Sequence, residues 1–278
     1  MNNRKLRVIY NQKGGVGKTT LAVNLAACAA QKGFRTLLID SDPQGNASSY
    51  ILGEKQPEKT LADYYESCLG INIFRQTILD YVTANTKIPN LHLVASNRDL
   101  ENLRTKLENK HKIMKLKEGL KNNTYDHVYF DPPPANDFFS LSCLIAATEI
   151  LVPIDCDAFS VRAAVEIKNT IDEVIADHNP SLKILGVVVN QYQKGTKHSA
   201  EIVKELAKLG FNVLEPYIPS SVKVRESHSE NKPVVVGHKD HPVSQAIVSL
   251  FSALELIADI PPHLVSGNFS KTYSDEAL

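Results

Sequence analysis

The sequence predicts an α/β fold, a doubly wound, mostly parallel sheet with helices on both faces. Its apolar runs are short and lack polar alternation, as is typical of strands buried on both faces. Helical stretches separate these runs, and a repeated strand–helix order gives parallel neighbours joined by right-handed crossovers. With 278 residues, of which 43% are hydrophobic, the chain is long enough for one large domain.

The elements follow in order along the chain. Strands are predicted at Leu6–Tyr10, Thr36–Asp40, Leu91–Ala95, His127–Phe130, Ile150–Pro153 and Ile184–Asn190. Helices are predicted at Thr19–Lys32, Asn97–Lys110, Ser160–Ala176 and Ser199–Leu209. The first and last of these helices end at the glycines Gly33 and Gly210. The third has one apolar face, formed by Ile167, Ile171, Val174 and Ile175. We expect a single domain over residues 1–260 and a polar tail over 261–278.

A glycine-rich loop, Lys-Gly-Gly-Val-Gly-Lys-Thr-Thr, joins the first strand to the first helix. Its glycines let backbone N–H groups curl around an anion, and the helix start adds free donors and a positive dipole end. We therefore predict a nucleotide phosphate cradle in which Lys18 reaches the β/γ-phosphates and the Thr19 hydroxyl holds Mg²⁺. The predicted binding residues of the loop are Gly14, Gly15, Val16, Gly17, Lys18, Thr19 and Thr20.

The loop departs from the general phosphate-loop pattern at its start. Gln12 stands where that pattern has a glycine, and a second lysine, Lys13, follows it. One lysine is enough to neutralise a terminal phosphate from within the chain. Lys13 could instead reach the phosphates of a neighbouring subunit if two sites face each other. The alternative is a solvated surface lysine.

Three aspartates stand at the carboxyl ends of predicted strands, where ligands bind in open α/β sheets. They are Asp40, Asp42 and Asp131. Such carboxylates can hold Mg²⁺ through water, and one of them could align an attacking water. Each alone could equally be a helix or turn cap.

Composition limits the protein class. No apolar run approaches 18 residues, and the start of the chain leads into a strand rather than an apolar signal region, so we expect a cytoplasmic protein without a membrane span. Cys28, Cys68, Cys143 and Cys156 lack Cys-x-x-Cys spacing and are interpreted as reduced, mostly buried thiols. The net charge is +0, but residues 183–239 are basic and could bind a polyanion on one face. Solvated helix faces are the alternative.

Taken together, these motifs resemble the ParA/MinD family of deviant-Walker-A P-loop ATPases. The loop is followed by Leu-Leu-Ile-Asp-Ser-Asp-Pro-Gln-Gly-Asn, by Tyr-Asp-His-Val-Tyr-Phe-Asp-Pro-Pro-Pro, and by segments that begin at Gly186 and Ile218. The resemblance covers about residues 5–250, and the short N-terminus is similar to the small, Soj-like ParA type.

The resemblance implies ATP and Mg²⁺ as cofactors and a role for each site residue. Lys13 would be the signature lysine, donated across an ATP-bound homodimer, and Asp42 would position the hydrolytic water. Asp40 and Asp131 would lie in the outer shell of the metal, with Thr19 as its ligand. Asn190, Pro219 and Ser220 would embrace adenine.

Two departures from the family pattern stand out. Pro132 replaces the usual threonine after Asp131, which removes a hydroxyl near the second switch, and Ser220 replaces an arginine that often follows the late Ile-Pro. The residues left as substitutes for DNA contact are Lys194, Lys197, Lys223 and Arg225.

The resemblance leaves three functions open. The leading one is DNA partitioning, in which an ATP-bound dimer binds duplex DNA non-specifically, associates with the nucleoid, and is released by hydrolysis that a ParB-like adaptor stimulates. A MinD-like ATPase that positions a protein cargo is the second. Membrane attachment would need a basic amphipathic helix, and Val243–Ala258 lacks Lys and Arg. The third, a relative of the nitrogenase iron protein, would need exposed paired cysteines.

Overall fold

The computed structural model describes residues 4–70, 77–84, 86–157 and 160–258. Seven strands form one sheet in the order β3-β2-β4-β1-β5-β6-β7, and every pair of neighbouring strands is parallel. The strands are β1 (Lys5–Ile9), β2 (Thr36–Asp40), β3 (Leu91–Val94), β4 (His127–Asp131), β5 (Glu149–Ile154), β6 (Lys183–Val189) and β7 (Val213–Leu214). The six predicted strands are confirmed, each end to within one residue, and the two-residue β7 adds an edge that the sequence analysis missed.

Helices cover both faces of the sheet, which confirms the doubly wound α/β fold. They are α1 (Lys18–Gln31), α2 (Asn46–Leu52), α3 (Leu61–Leu69), α4 (Asp99–Asn109), α5 (Lys115–Gly119), α6 (Phe138–Ala146), α7 (Ser160–Asp177), α8 (Lys197–Lys208), α9 (Val222–Ser229), α10 (Val234–Gly237) and α11 (Pro242–Ala258), with a 3-10 helix at Ile78–Tyr81. The four predicted helices are α1, α4, α7 and α8, with ends within two residues of the predicted ones.

Each face of the sheet has its own apolar core. Helices α1, α2, α10 and α11 pack on one face with Ile9, Leu38 and Leu151. Helices α3 to α8 pack on the other, where Val8 and Ile39 are fully buried. The predicted apolar face of α7 lies in this second core. Strand β1 is central, so the loop that follows it lies where the strand order reverses, the usual place for a ligand in such sheets.

Two expectations extend beyond what the structure tests. The predicted tail over 261–278 lies outside the described residues, and the domain boundary at 260 stays a prediction. Among the described helices, none combines the length and the apolar character needed to span a bilayer.

Candidate nucleotide site

The loop between β1 and α1 is open on the side where an anion would lie. Gly17 precedes α1 with φ +92°, and a Cβ on it would lie 2.1 Å from the Asn190 Nδ2 atom. Gly15, with φ +79°, would meet nothing within 4 Å. The segment after β6 holds the loop, because Asn190 Nδ2 donates to the Val16 carbonyl at 2.8 Å and Gln191 Nε2 donates to the Gly15 carbonyl at 2.8 Å. The loop is thus a preformed cradle lined by backbone.

Lys18 lies beneath this loop. Its side chain is largely buried, and its Nζ donates to the Lys13 carbonyl at 2.9 Å. Burial lowers the pKa of Lys18, while the charges of Asp131 and Asp42 oppose that shift. A buried cation held close to carboxylates at a helix start is suited to meet a terminal phosphate.

Lys13 forms ion pairs within its own chain. Its Nζ lies 2.8 Å from Asp155 Oδ2 and also contacts Asp157, in the segment that follows β5. Burial works against the ammonium, but hydrogen bonds to these two carboxylates outweigh it and raise the pKa of Lys13. The side chain of Lys13 is therefore paired with carboxylates of its own chain, which differs from the solvated lysine of the alternative interpretation, and its reach to a second copy stays a prediction.

Asp40 and Asp131 lie side by side. They are register partners on β2 and β4, and each is at most 1% exposed. Asp40 Oδ2 accepts from the Ser48 N–H and the Ser48 hydroxyl, both at 2.7 Å. Neither carboxylate oxygen of Asp131 has a hydrogen-bond partner of good geometry among the residues that the structure describes. The following residue, Pro132, has neither an N–H nor a hydroxyl to offer.

The two carboxyls disfavour each other's charge. Burial raises the pKa of Asp40 to about 7. Burial and then the neighbouring charge of Asp40 raise the pKa of Asp131 well above its usual value, although the Thr19 hydroxyl opposes this. Such a pair needs a cation, and Mg²⁺ fits because it prefers oxygen ligands and keeps several waters. Across the described part of the chain, no group of three His, Cys, Asp or Glu could enclose a metal alone, so phosphate and water would complete the shell.

Asp42 is the third predicted carboxylate. Its Oδ1 accepts from the Gln44 N–H at 2.9 Å, and its carbonyl accepts from the Ser96 hydroxyl at 2.6 Å. Burial raises the pKa of Asp42, whereas the Lys18 charge lowers it. The structure thus brings Lys18, Asp42 and Asp131 into mutual electrostatic contact, as the strand-end pattern predicted.

The predicted adenine and DNA residues lie in adjoining segments. Lys194, Pro219 and Ser220 line an open groove of about 460 Å³ together with Tyr192 and Tyr217. Asn190 is directed at the phosphate loop instead, through its bond to Val16.

Of the remaining basic residues, Lys197 and Arg225 are exposed at α8 and α9. Lys223 on α9 pairs with Glu226, which neutralises part of its charge. The positive surface on α9 is therefore weaker than the sequence alone suggests.

The cysteines do not resemble metal ligands. Cys143 is fully buried and donates to the Ser41 hydroxyl at 3.3 Å, and burial raises its pKa to about 12. The buried, hydrogen-bonded thiol of Cys143 fits the predicted reduced and buried cysteine.

Sequence reasoning missed several residues of the site. Asp155 and Asp157 were not singled out, although they follow a strand in the same way as Asp40 and Asp131 and could have been found by that rule. The roles of Ser48 and Gln191 depend on contacts between distant segments, for which a single sequence carries no signal.

Comparisons with known proteins agree with this geometry. A family model described as an AAA domain matches residues 4–184. The chain is 34% identical over 259 residues to the chromosome partitioning protein ParA of Caulobacter vibrioides, covering 90% of this chain and 94% of that protein. Cobyrinic acid a,c-diamide synthase from Mycobacterium smegmatis, solved with bound ADP and magnesium, has a TM-score of 0.76 and 27% identity over 95% of this chain and 97% of that one. The ATP complex of McdA from Cyanothece has a TM-score of 0.79 at 22% identity, covers 93% of this chain and 98% of that one, and shows the shared fold.

Proposed function

This chain belongs to the ParA/MinD family of deviant-Walker-A P-loop ATPases, and we propose that it hydrolyses ATP to partition DNA. The observation that carries the ATPase assignment is the pair of buried carboxyls, Asp40 and Asp131, beside the phosphate loop: the charge of Asp40 raises the pKa of Asp131, and the Thr19 hydroxyl offsets only part of that shift. Two carboxylates buried side by side are costly unless a cation neutralises them. Similarity to the partitioning protein ParA over 90% of the chain supports DNA as the cargo.

The residues of the site have distinct tasks in this proposal. The loop from Gly14 to Thr20 binds the phosphates, and Lys18 contacts the terminal ones. The Thr19 hydroxyl would hold Mg²⁺, and Asp40 and Asp131 would hold its waters. The metal would supply positive charge against the charge that develops on the transferred phosphoryl group.

Asp42 would orient the attacking water. Its carboxylate is anchored by the Gln44 N–H and lies within the field of Lys18. A residue that holds the water in line with the phosphoryl group replaces a bimolecular encounter by an oriented step and so lowers its entropic cost. Asn190 keeps the loop closed at Val16, and Pro219 and Ser220 lie along the groove proposed for adenine.

Lys13 would complete the site of a second copy. To do so it must leave Asp155 and Asp157, so its ion pairs keep it within its own chain until a partner's phosphates offer a stronger contact. The ATP-bound homodimer would join the basic surfaces of two copies into one DNA-binding face. A ParB-like adaptor would then stimulate hydrolysis and release the dimer from the nucleoid.

A protein cargo is the second candidate, and the Lys223–Glu226 pair favours it because it reduces the positive charge of α9. Membrane attachment is disfavoured. The apolar side of α11 is already used in the core, where Val243, Ile247, Leu250 and Leu254 are fully buried, and α11 carries no Lys or Arg.

The test separates binding, dimerisation and DNA affinity. Asp42→Ala should trap the ATP-bound dimer in size-exclusion chromatography, and adding Lys13→Ala should return it to a monomer. DNA affinity of the trapped dimer should fall with salt at a log–log slope of about −0.9 per phosphate neutralised. Lys223→Glu with Arg225→Glu should abolish that affinity and leave the dimer intact.

A matched control carries the same charge change on the other face of the sheet. Lys106→Glu with Lys121→Glu alters two exposed lysines and should leave DNA binding unchanged. Equal DNA affinity with ADP and ATP would argue against DNA partitioning and favour the protein cargo, and full binding by the α9 variant would make the basic residues of α9 a solvated face.

A further inference from the structure

Helix α9 contacts the residues around the nucleotide site mainly through His228. Its Nε2 atom lies 3.1 Å from the Thr20 hydroxyl on α1. Its ring stacks on Tyr50 of α2, with centroids 3.9 Å apart and an interplanar angle of 21°. The adjacent Ser227 hydroxyl lies 2.5 Å from the Tyr50 hydroxyl. The roles proposed above for the nucleotide-binding residues do not explain these contacts of His228.

Thr20 gives His228 a link to the phosphates. It is the third residue of α1, and the first four N–H groups of a helix have no partner within the helix. The N–H of Thr20 is therefore one of the donors available to a phosphate, while its hydroxyl contacts His228. A phosphate that orders the backbone of Thr20 also orders the hydroxyl to which α9 is attached.

Tyr50 gives His228 a link to the metal side of the site. It lies two residues after Ser48 on the short helix α2, and Ser48 donates to Asp40 from both its N–H and its hydroxyl. Any change in the charge or hydration of Asp40 acts on Ser48 and hence on the position of α2. The stacked ring of His228 lies directly on this helix.

The basic residues of α9 lie one helical turn before its attachment points, Lys223 four residues before Ser227 and Arg225 three residues before His228. Arg225 is exposed, and Lys223 is half-buried beside Glu226. The helix has eight residues, of which Ser227 is buried and Val224 packs against the core in part, so its apolar attachment is small. The polar and ring contacts of Ser227 and His228 therefore contribute much of what holds its orientation.

We propose that His228 is a positioning residue that couples the nucleotide state, read at Thr20 and Tyr50, to the orientation of α9. As far as α9 is taken to contact DNA, this inference rests on the function proposed above. The His228 imidazole contacts both α1, through Thr20 on the phosphate side, and α2, through Tyr50 on the metal side. Helix α9 therefore responds when phosphate and metal are both in place. Coupling of this kind is a difference between two ligand states and is measured as such.

The experiment uses the full chain and two substitutions at one position. His228→Phe keeps a stacking ring and removes the hydrogen bond to Thr20. His228→Gln keeps a hydrogen-bonding amide and removes the ring. His178→Phe, at the exposed end of α7, is the matched control.

The first readout is hydrogen exchange of residues 222–229 with and without Mg²⁺-ATP, in the absence of DNA. ATP should slow exchange in the wild type and the control, and this response should be largely lost in His228→Phe. The second readout is the ratio of duplex-DNA affinities with ATP and ADP, which should fall about tenfold. ATP affinity should stay within about twofold of wild type, because His228 lies behind Thr20 and not in the cradle.

A purely structural histidine would lower the melting temperature of both variants equally and leave the ATP/ADP ratio unchanged, and that result would overturn the proposal. The proposal would also be overturned if ATP did not change the hydrogen exchange of α9 in the wild type. If His228→Phe does not fold, the hydrogen exchange of α9 and the ATP/ADP ratio of DNA affinities are compared between the wild type and His228→Gln. If the wild type shows the exchange response but binds no DNA, the partitioning function fails and the coupling stands.

Discussion

The two ends of the sheet both bury charged side chains, but only one end pairs them. The amino-end cluster comprises Lys5, Arg7, His127, Glu149 and Glu255. Arg7 is fully buried, and its guanidinium donates to Glu149 at 2.6 Å and to Glu255 at 2.7 Å. Glu255 belongs to α11, so this cluster fastens the last helix to the sheet.

The carboxyl-end cluster comprises Lys18, Asp40, Asp42 and Asp131. Its charges are as deeply buried, but the acids outnumber the one cation, and the Thr19 hydroxyl and the Lys18 charge offset only part of what raises the pKa of Asp131. Burial raises the pKa of Asp40 to about 7, whereas the nearby Arg7 and Lys5 hold the pKa of Glu255 below its usual value despite burial.

The contrast distinguishes a structural cluster from a binding site. Where partners satisfy a buried charge, the charge belongs to the fold, and its loss costs stability. Where they do not, the missing partner is a ligand. The clusters also respond to acid in opposite ways. Protonating Asp40 and Asp131 relieves repulsion, whereas protonating Glu255 removes an ion pair.

The largest effect is expected for Arg7→Met. The substitution leaves Glu149 buried without its cation and leaves Glu255 with Lys5 alone, which should cost about 3–5 kcal/mol of unfolding free energy. Urea denaturation at pH 7 measures this loss. Adding Glu149→Gln should recover part of it, because the carboxylate that has lost its cation is then neutral, while Lys5 keeps its pair with Glu255. A loss below about 1 kcal/mol would show that the amino-end cluster is dispensable.

A smaller effect is expected from His127 as the pH falls. Burial lowers its pKa to about 4, and Nε2 lies 3.5 Å from Glu255. His127 binds a proton more weakly in the folded protein than in the unfolded one. Its contribution to stability is therefore complete above about pH 6.5 and is lost as the pH falls toward 4. The full loss is about 3 kcal/mol.

His127→Phe isolates this term. The ring packs against Phe34, Tyr129 and Phe251, so phenylalanine keeps the contacts and cannot titrate. Unfolding free energies of wild type and variant should run parallel from pH 8 to 6.5 and diverge below, with the variant losing less. Parallel curves down to pH 4 would mean that the native state accepts the proton freely.

The sequence predicted one of these clusters and not the other. Asp40, Asp42 and Asp131 were found because strand ends in a parallel sheet meet at one edge, and Lys18 because its loop has a recognisable pattern. Arg7 and Glu149 lie on strands that pair only in the folded sheet, and Glu255 is 248 residues from Arg7 along the chain. Such long-range pairing leaves no periodic signal. The same reason explains why the roles of Ser48 and His228 could not be predicted.

The smallest stability change is expected for Asp131→Asn, and its sign opposes that of Arg7→Met. The folded-state pKa of Asp131 is raised by burial and by Asp40, so its charge destabilises the nucleotide-free protein at pH 8. The amide should therefore raise the unfolding free energy by about 1 kcal/mol at pH 8, a gain that disappears below about pH 4, where the carboxyl is neutral in both the folded and the unfolded protein. The variant should also lose the Mg²⁺-dependent part of the ATP-induced stabilisation, which for wild type at a hundredfold excess over Kd is about 2.7 kcal/mol in total. Asp177→Asn, at the exposed end of α7, is the control and should change neither quantity. Urea titrations at pH 8 and 4, followed by thermal shifts with ATP alone and with Mg²⁺-ATP, measure both effects. A destabilised variant would reveal a partner for Asp131, and an intact Mg²⁺ response would place the metal elsewhere.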